Sequence, residues 1–186
     1  MSARPTFLTG KERFFGTDEI IVSKTTPTGH ITYANEVFLR VSGYAEDELL
    51  GQPHSILRHP AMPRGVFKLL WDTIKEGNEI FAYVLNRSKC GDCYWVFAHV
   101  TPTFDQHGHI VGYHSSRRSP SRAAIGKIKP VYDAALREEA KVANPKLAAV
   151  AGLTFIGEQL GKLNLTYEEF VFTLDREPAK PAACAA

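Results

Sequence analysis

The sequence predicts an α+β fold: a five-stranded antiparallel sheet with helices on one face, plus an N-terminal cap and a C-terminal helical extension. Three observations lead there. Two short apolar runs flank the tight turn Thr26-Pro27-Thr28-Gly29, ahead of a cluster of helical segments. Three longer β-rich runs follow, joined by short connections that favour antiparallel pairing of neighbours. Finally, 186 residues with 44% hydrophobic and 23% charged residues are enough for one core and an appendage, and hardly for two full domains.

Taken in order, residues 19–23 read as the first strand and 30–33 as its return. Asn35 is placed as the N-cap of a helix over 36–42, where Val37, Phe38 and Val41 share one face, and Gly43 stops it. A further helical turn over 45–49 ends at Gly51. Pro63 is tolerated in the first turn of a longer helix, whose Val66, Phe67, Leu70, Trp71 and Ile74 recur at helical spacing until Gly77. Strands over 79–87 and 94–104 flank the hairpin connection Ser88-Lys89-Cys90-Gly91-Asp92. The turn Asp105-Gln106-His107-Gly108 then leads into a last strand over 109–117. Residues 123–142 form an amphipathic helix with Ile125, Ile128, Tyr132, Ala135 and Leu136 near one face, suited to packing back on the domain or to a dimer seam. After the break at Asn144-Pro145, residues 147–165 are apolar but carry Gly152, Gly157 and Gly161, so this helix needs a partner surface. The leader, with Phe7, Leu8, Phe14 and Phe15, is aromatic enough to pack. The organisation is thus a cap at 1–18, a sensor domain at 19–118, a helical extension at 119–175 and a disordered Pro/Ala-rich tail at 176–186.

Composition excludes several classes. A net charge of +2 leaves no footprint for nucleic acid, and no apolar stretch reaches the roughly 18 residues of a membrane span. Cys90, Cys93 and Cys184 are too few and too uneven for a secreted disulfide framework, so the chain reads as cytoplasmic. There is no catalytic triad, carboxylate pair, P-loop or G-x-G-x-x-G, so enzymatic activity is not expected. Cys90-Gly91-Asp92-Cys93 reads as two free turn thiols, because Gly-Asp is the hairpin turn itself and no second C-x-x-C completes a zinc site. What remains is a pocket between sheet and helices suited to a small molecule.

Two segments carry a resemblance. Ile31-Thr-Tyr-Ala-Asn-Glu-Val-Phe-Leu-Arg-Val-Ser-Gly-Tyr44, followed by Glu48-Leu-Leu-Gly-Gln-Pro-His54, resembles the PAS domain signature. Together with Leu57-Arg-His-Pro-Ala-Met-Pro63 and Gly91-Asp-Cys-Tyr-Trp-Val96, it is similar to the flavin-binding PAS domain of bacterial aerotaxis receptors. The resemblance implies FAD held non-covalently as a redox or oxygen sensor. It implies Asn35, His54, Arg58, His59, Phe67, Asn86 and Tyr94 as cofactor-binding candidates. Physical chemistry supports part of this set. Arg58 offers bidentate geometry to phosphate, His59 is a donor of tunable charge, Phe67 with Trp71 makes an aromatic wall, and Asn86 can reach a ring edge. The plain alternatives are an N-cap for Asn35, a helix cap or surface ion pair for Arg58 and His59, and ordinary core for Phe67 and Trp71.

The chain departs from the family at Ala61, where an acidic residue is usual, and at Ile80, where a Trp is usual. The membrane segment and signalling coiled coil typical of the family are also missing, which implies signalling to a partner protein in trans, with a homodimer as a further option. FMN and haem are the rival cofactors, haem through His54, His59 or His99. A cofactor-free interaction module is the remaining alternative. Flavin-adduct photochemistry needs a Cys in a short helix, and the corresponding helices contain none.

Overall fold

In a computed structural model, which describes residues 7–175, the sheet has strands β1 (Ile21–Thr25), β2 (Ile31–Ala34), β3 (Ile80–Arg87), β4 (Cys93–Phe104) and β5 (Ile110–Arg118). Their spatial order is β2-β1-β5-β4-β3, and every neighbouring pair is antiparallel. Helices α1 (Glu36–Ser42), α2 (Glu46–Leu49) and α3 (Arg64–Lys75), with a 3-10 turn at His54–Leu57, fill the crossover between β2 and β3. The predicted α+β fold with its five-stranded antiparallel sheet is therefore the observed one.

Differences from the predicted boundaries have local causes. The first strand begins at Ile21 because Gly16–Glu19 is a turn: the Glu19 amide donates to the Gly16 carbonyl, and the Gly16 amide donates to the Glu19 carboxylate. Helix α1 keeps its predicted limits, with Gly43 closing it at φ 72°.

The C-terminal part forms α4 (Arg122–Ala140), α5 (Pro145–Leu163) and α6 (Tyr167–Thr173). Asn144 caps α5 through Lys146 and Leu147, and Pro145 fills the first turn, so this helix starts two residues earlier than predicted. Asn164 ends it in a left-handed conformation, φ 53°. Sequence reasoning did not separate α6, although Thr166 and Glu169 form its capping box. The partner surface that α5 requires is α3, with α4 beside it.

Strand alternation divides the sheet into two rows. Phe81, Tyr83, Trp95 and Phe97 point to the outer face, where Tyr132 of α4 and Phe172 of α6 meet them. Val84, Asn86, Ala98, Val100, Tyr113, Ser115, Arg117, Ser23 and Thr25 point inward, towards α3.

The leader packs on the domain, though through fewer of its aromatics than predicted. Only Phe15 is buried, whereas Phe7 and Phe14 are 70% and 67% exposed. Polar groups hold the segment instead: the Arg13–Asp92 ion pair at 2.9 Å, and backbone bonds from Thr9 and Arg13 to the hairpin carbonyls of Gly91 and Cys93. Cys90 and Cys93 are free thiols. The predicted disordered tail at 176–186, with Cys184, lies outside the described residues.

Candidate functional site

A cavity of about 580 Å³ lies between the inward row of the sheet and α3, closed at one end by the 3-10 turn and at its mouth by the start of α5. That volume is in the range of ordinary ligand pockets. Phe67, Leu70, Trp71 and Ile74 of α3 form one apolar wall, and Val84, Ala98 and Val100 of the sheet form the other. Trp71 is fixed edge-on against Tyr113, ring centroids 5.6 Å apart.

The floor is polar. Arg117 is 4% exposed, and its Nη2 donates to Ser23 Oγ at 2.7 Å and to His54 Nε2 at 2.8 Å. Its Nη1 has no partner, and neither has the buried hydroxyl of Ser115 two residues earlier. Arginine can only donate, so His54 is neutral with its proton on Nδ1. Burial, and then the Arg117 charge, push the His54 pKa down to about 3. Burial also lowers Arg117 to about 10, which leaves it a cation at neutral pH. No Asp or Glu lines the cavity, whereas Arg58, Arg64, Lys68, Lys146 and Arg117 all do. A buried guanidinium without a carboxylate partner is costly, because hydrogen bonds to neutral groups compensate only part of its desolvation.

The structure brings five of the eight sequence candidates together: His54, Arg58, Phe67, Trp71 and Asn86 all line the cavity. Arg58 rests on the Phe67 ring, 4.5 Å from its centroid, and donates to the Met62 carbonyl at 3.4 Å. Asn86 is 4% exposed, and its backbone bridges that of Arg58, which ties the 3-10 turn to β3.

The other three lie outside the lining. Asn35 is spent on structure: its Oδ1 accepts from the amides of Phe38 and Val22, and its Nδ2 donates to the Ile20 carbonyl. His59 Nδ1 accepts from the amide of Ala61 at 3.1 Å. Tyr94 is fully buried in the core, where its hydroxyl has no partner and burial pushes its pKa up. Of the histidines considered for haem, His54 alone lines the cavity, and its Nε2 is committed to Arg117; His99 pairs with Glu79 instead.

Sequence reasoning missed Ser23, Ser115, Arg117, Arg64 and Lys146. Tyr113, Ser115 and Arg117 were findable, because period-two alternation puts them on one face of the last predicted strand. Arg64 and Lys146 line the same cavity only through the packing of α5 on α3, for which the sequence carries no local signal.

A sheet of this order with a ligand-sized cavity under its crossover helices defines a PAS domain. The PAS fold family matches residues 31–117. Among individual proteins, the chain is 40% identical over 134 residues to the aerotaxis receptor of Escherichia coli (strain K12), a match covering 72% of this chain and 26% of that protein. It is 28% identical over 102 residues to the nitrogen fixation regulatory protein of Klebsiella pneumoniae, covering 55% of this chain and 21% of that one. The light-state structure of the blue-light photoreceptor Aureochrome1 LOV superposes with a TM-score of 0.52 at 26% identity, over 63% of this chain and 91% of the other. The chain thus spans about a quarter or less of these curated relatives' lengths. Among the described residues no helix is long and apolar enough to cross a membrane, and no group of three or more His, Cys, Asp and Glu residues could hold a metal ion.

Proposed function

We propose that this PAS domain holds a flavin, FAD by preference, non-covalently in the cavity and reports its redox state to a partner protein in trans. The observation that carries the reading is Arg117: a buried cation with an unused N–H, beside the unused Ser115 hydroxyl, at the floor of an apolar slot. A tricyclic ring bearing carbonyl oxygens and ring nitrogens on one edge matches that arrangement. Its edge accepts the orphaned donors, and its body lies between Trp71 and Phe67 on one side and Val84 and Ala98 on the other. A flavin supplies reversible electron uptake coupled to protonation.

The chain's own residues provide the remaining functions. Arg117 and Ser115 fix the ring edge, and the apolar walls exclude water. Asn86, in the cavity lining, bonds the ring edge and responds as that edge changes charge. Arg117 is the penultimate residue of β5, and α4 begins at Arg122, so a shift at the floor has a short path to the C-terminal helices. A redox state biases such a path only by its differential affinity for two arrangements. No cysteine lines the cavity, which favours redox reporting over adduct chemistry.

The test is the absorption spectrum of the full chain, purified from riboflavin-supplied cells, with the mass of the molecule released on denaturation. Two broad visible bands and the mass of FAD are expected, and Arg117→Met should come out colourless. Wild-type protein without chromophore would overturn the reading, and a sharp Soret band would replace it with haem.

A further inference from the structure

The C-terminal helices do more than cover the sheet. Helix α5 lies against α3 backbone to backbone, since a Cβ on Gly65 would collide with the main chain of Gly152 and Leu153, and Gly152 in turn lies against the Glu139 carboxylate of α4. Glu139 of α4 is 6% exposed and accepts from the amides of Arg64 and Gly65, at 2.9 and 2.8 Å, in the uncapped first turn of α3. This joint sets Pro145, Lys146 and Ala149 of α5 into the cavity wall.

The charges gathered at the mouth are unbalanced. Lys68 is paired with Asp72 at 2.7 Å, whereas Arg58, Arg64 and Lys146 have no ion pair among the described residues. Arg64 lowers the Arg58 pKa after burial does, and Glu139, the one carboxylate acting on Arg58, already serves two amides. Arg58, Arg64 and Lys146 line one cavity without a carboxylate in its lining, so they repel one another until an anion sits among them.

We propose that Lys146 of α5, with Arg58 and Arg64, forms a cationic collar for a phosphate-bearing tail of the ligand, so that ligand binding and docking of α5 on α3 are coupled. This rests on the flavin reading and deepens it. The phosphate bridges two parts of the molecule that are otherwise joined by the Glu139 contact and close helix packing. By linkage, whatever strengthens phosphate binding strengthens docking of the extension equally. The ring head, held at the Arg117 floor, contributes nothing to the collar.

Dissociation constants of the full chain for FAD, FMN and riboflavin test this, because riboflavin has the same ring and no phosphate. Lys146→Glu should weaken FAD and FMN by about tenfold or more, the worth of one charge-assisted contact, and leave riboflavin within about twofold. The variant keeps its helix, since Lys146 is exposed and an acidic residue suits the first turn of α5. Arg64→Gln should show the same discrimination. Hydrogen exchange over 148–160 should slow with FAD and hardly change with riboflavin. Equal losses for all three flavins, no loss for any, or the same α5 protection by riboflavin as by FAD would each dismiss the collar while the flavin reading stands. If wild-type protein takes up none of the three, both ideas fall together.

Discussion

Alternate residues of β3, β4 and β5 build two faces of opposite character. On the outer face Tyr83 tilts against Phe97 at 4.7 Å, Phe81 meets Phe172 at 4.7 Å, and Trp95 lies over Tyr132 at 6.4 Å. The Tyr132 hydroxyl closes that face by donating to the Tyr83 carbonyl at 2.8 Å. The inner face leaves a cavity of about 580 Å³ and keeps a buried cation with an unused donor. Dense packing of aromatic side chains stabilises a fold, whereas a void and an orphaned polar group detract from it. The outer face, covered by the C-terminal helices, therefore carries stability that the inner face, with its cavity, does not.

The largest test removes a buried aromatic from the outer face. Tyr132→Ala opens a hole under Trp95 and strips a bond from β3, and should cost about 3–5 kcal/mol. The measurement is a urea unfolding midpoint on the full chain. A loss under about 1 kcal/mol would show that the outer face is not what holds the sheet together.

How far the two faces were legible follows from which signals are local. Asn35, Gly43 and Asn144-Pro145 mark helix ends by their own chemistry, so those elements could be placed from sequence. The inward row was half visible: His54, Arg58, Phe67 and Asn86 came from a family likeness and Trp71 from its helical spacing beside Phe67, while Ser115 and Arg117 needed only strand alternation and were passed over. Thr166 and Glu169 announced α6 in the same way. Asn35 was read both as an N-cap and as a ligand contact, and its side chain bonds the backbone of Ile20, Val22 and Phe38, the role its position before a helix predicts. Arg64, Glu139 and Lys146 converge from three helices, a relation that no window of sequence contains.

A smaller effect separates the faces by pH. The fold keeps His54 neutral down to about pH 3, while an unfolded chain protonates it near 6.5. Between those values the unfolded state binds more protons, so stability falls as pH drops below 6.5 and stops falling below 3. By pH 5 this one group accounts for up to about 2 kcal/mol relative to pH 8. Burial also lowers His59 and His114, which act in the same direction, so the informative quantity is the difference made by one substitution. His54→Gln should flatten the melting temperature between pH 8 and 5 by the corresponding amount. An unchanged slope would mean that His54 titrates in the fold as it does in the unfolded chain, and the Arg117 contact would need another explanation.

The smallest stability effect is expected where the effect on ligand binding is greatest. Arg117→Met deletes two hydrogen bonds, to Ser23 and His54, and also removes a buried charge that no carboxylate balances. These changes oppose each other. Replacing a buried ion with an apolar side chain of similar volume is often neutral or stabilising, whereas each orphaned partner costs about 1–3 kcal/mol. Ser23 and His54 both border the cavity, where water can take the place of the guanidinium, so the ligand-free variant should unfold within about 1 kcal/mol of wild type. Retained stability with lost flavin would assign the cation on the inner face to the ligand. A destabilisation as large as that of Tyr132→Ala would instead make Arg117 part of the packed core, and the two faces would no longer differ in purpose.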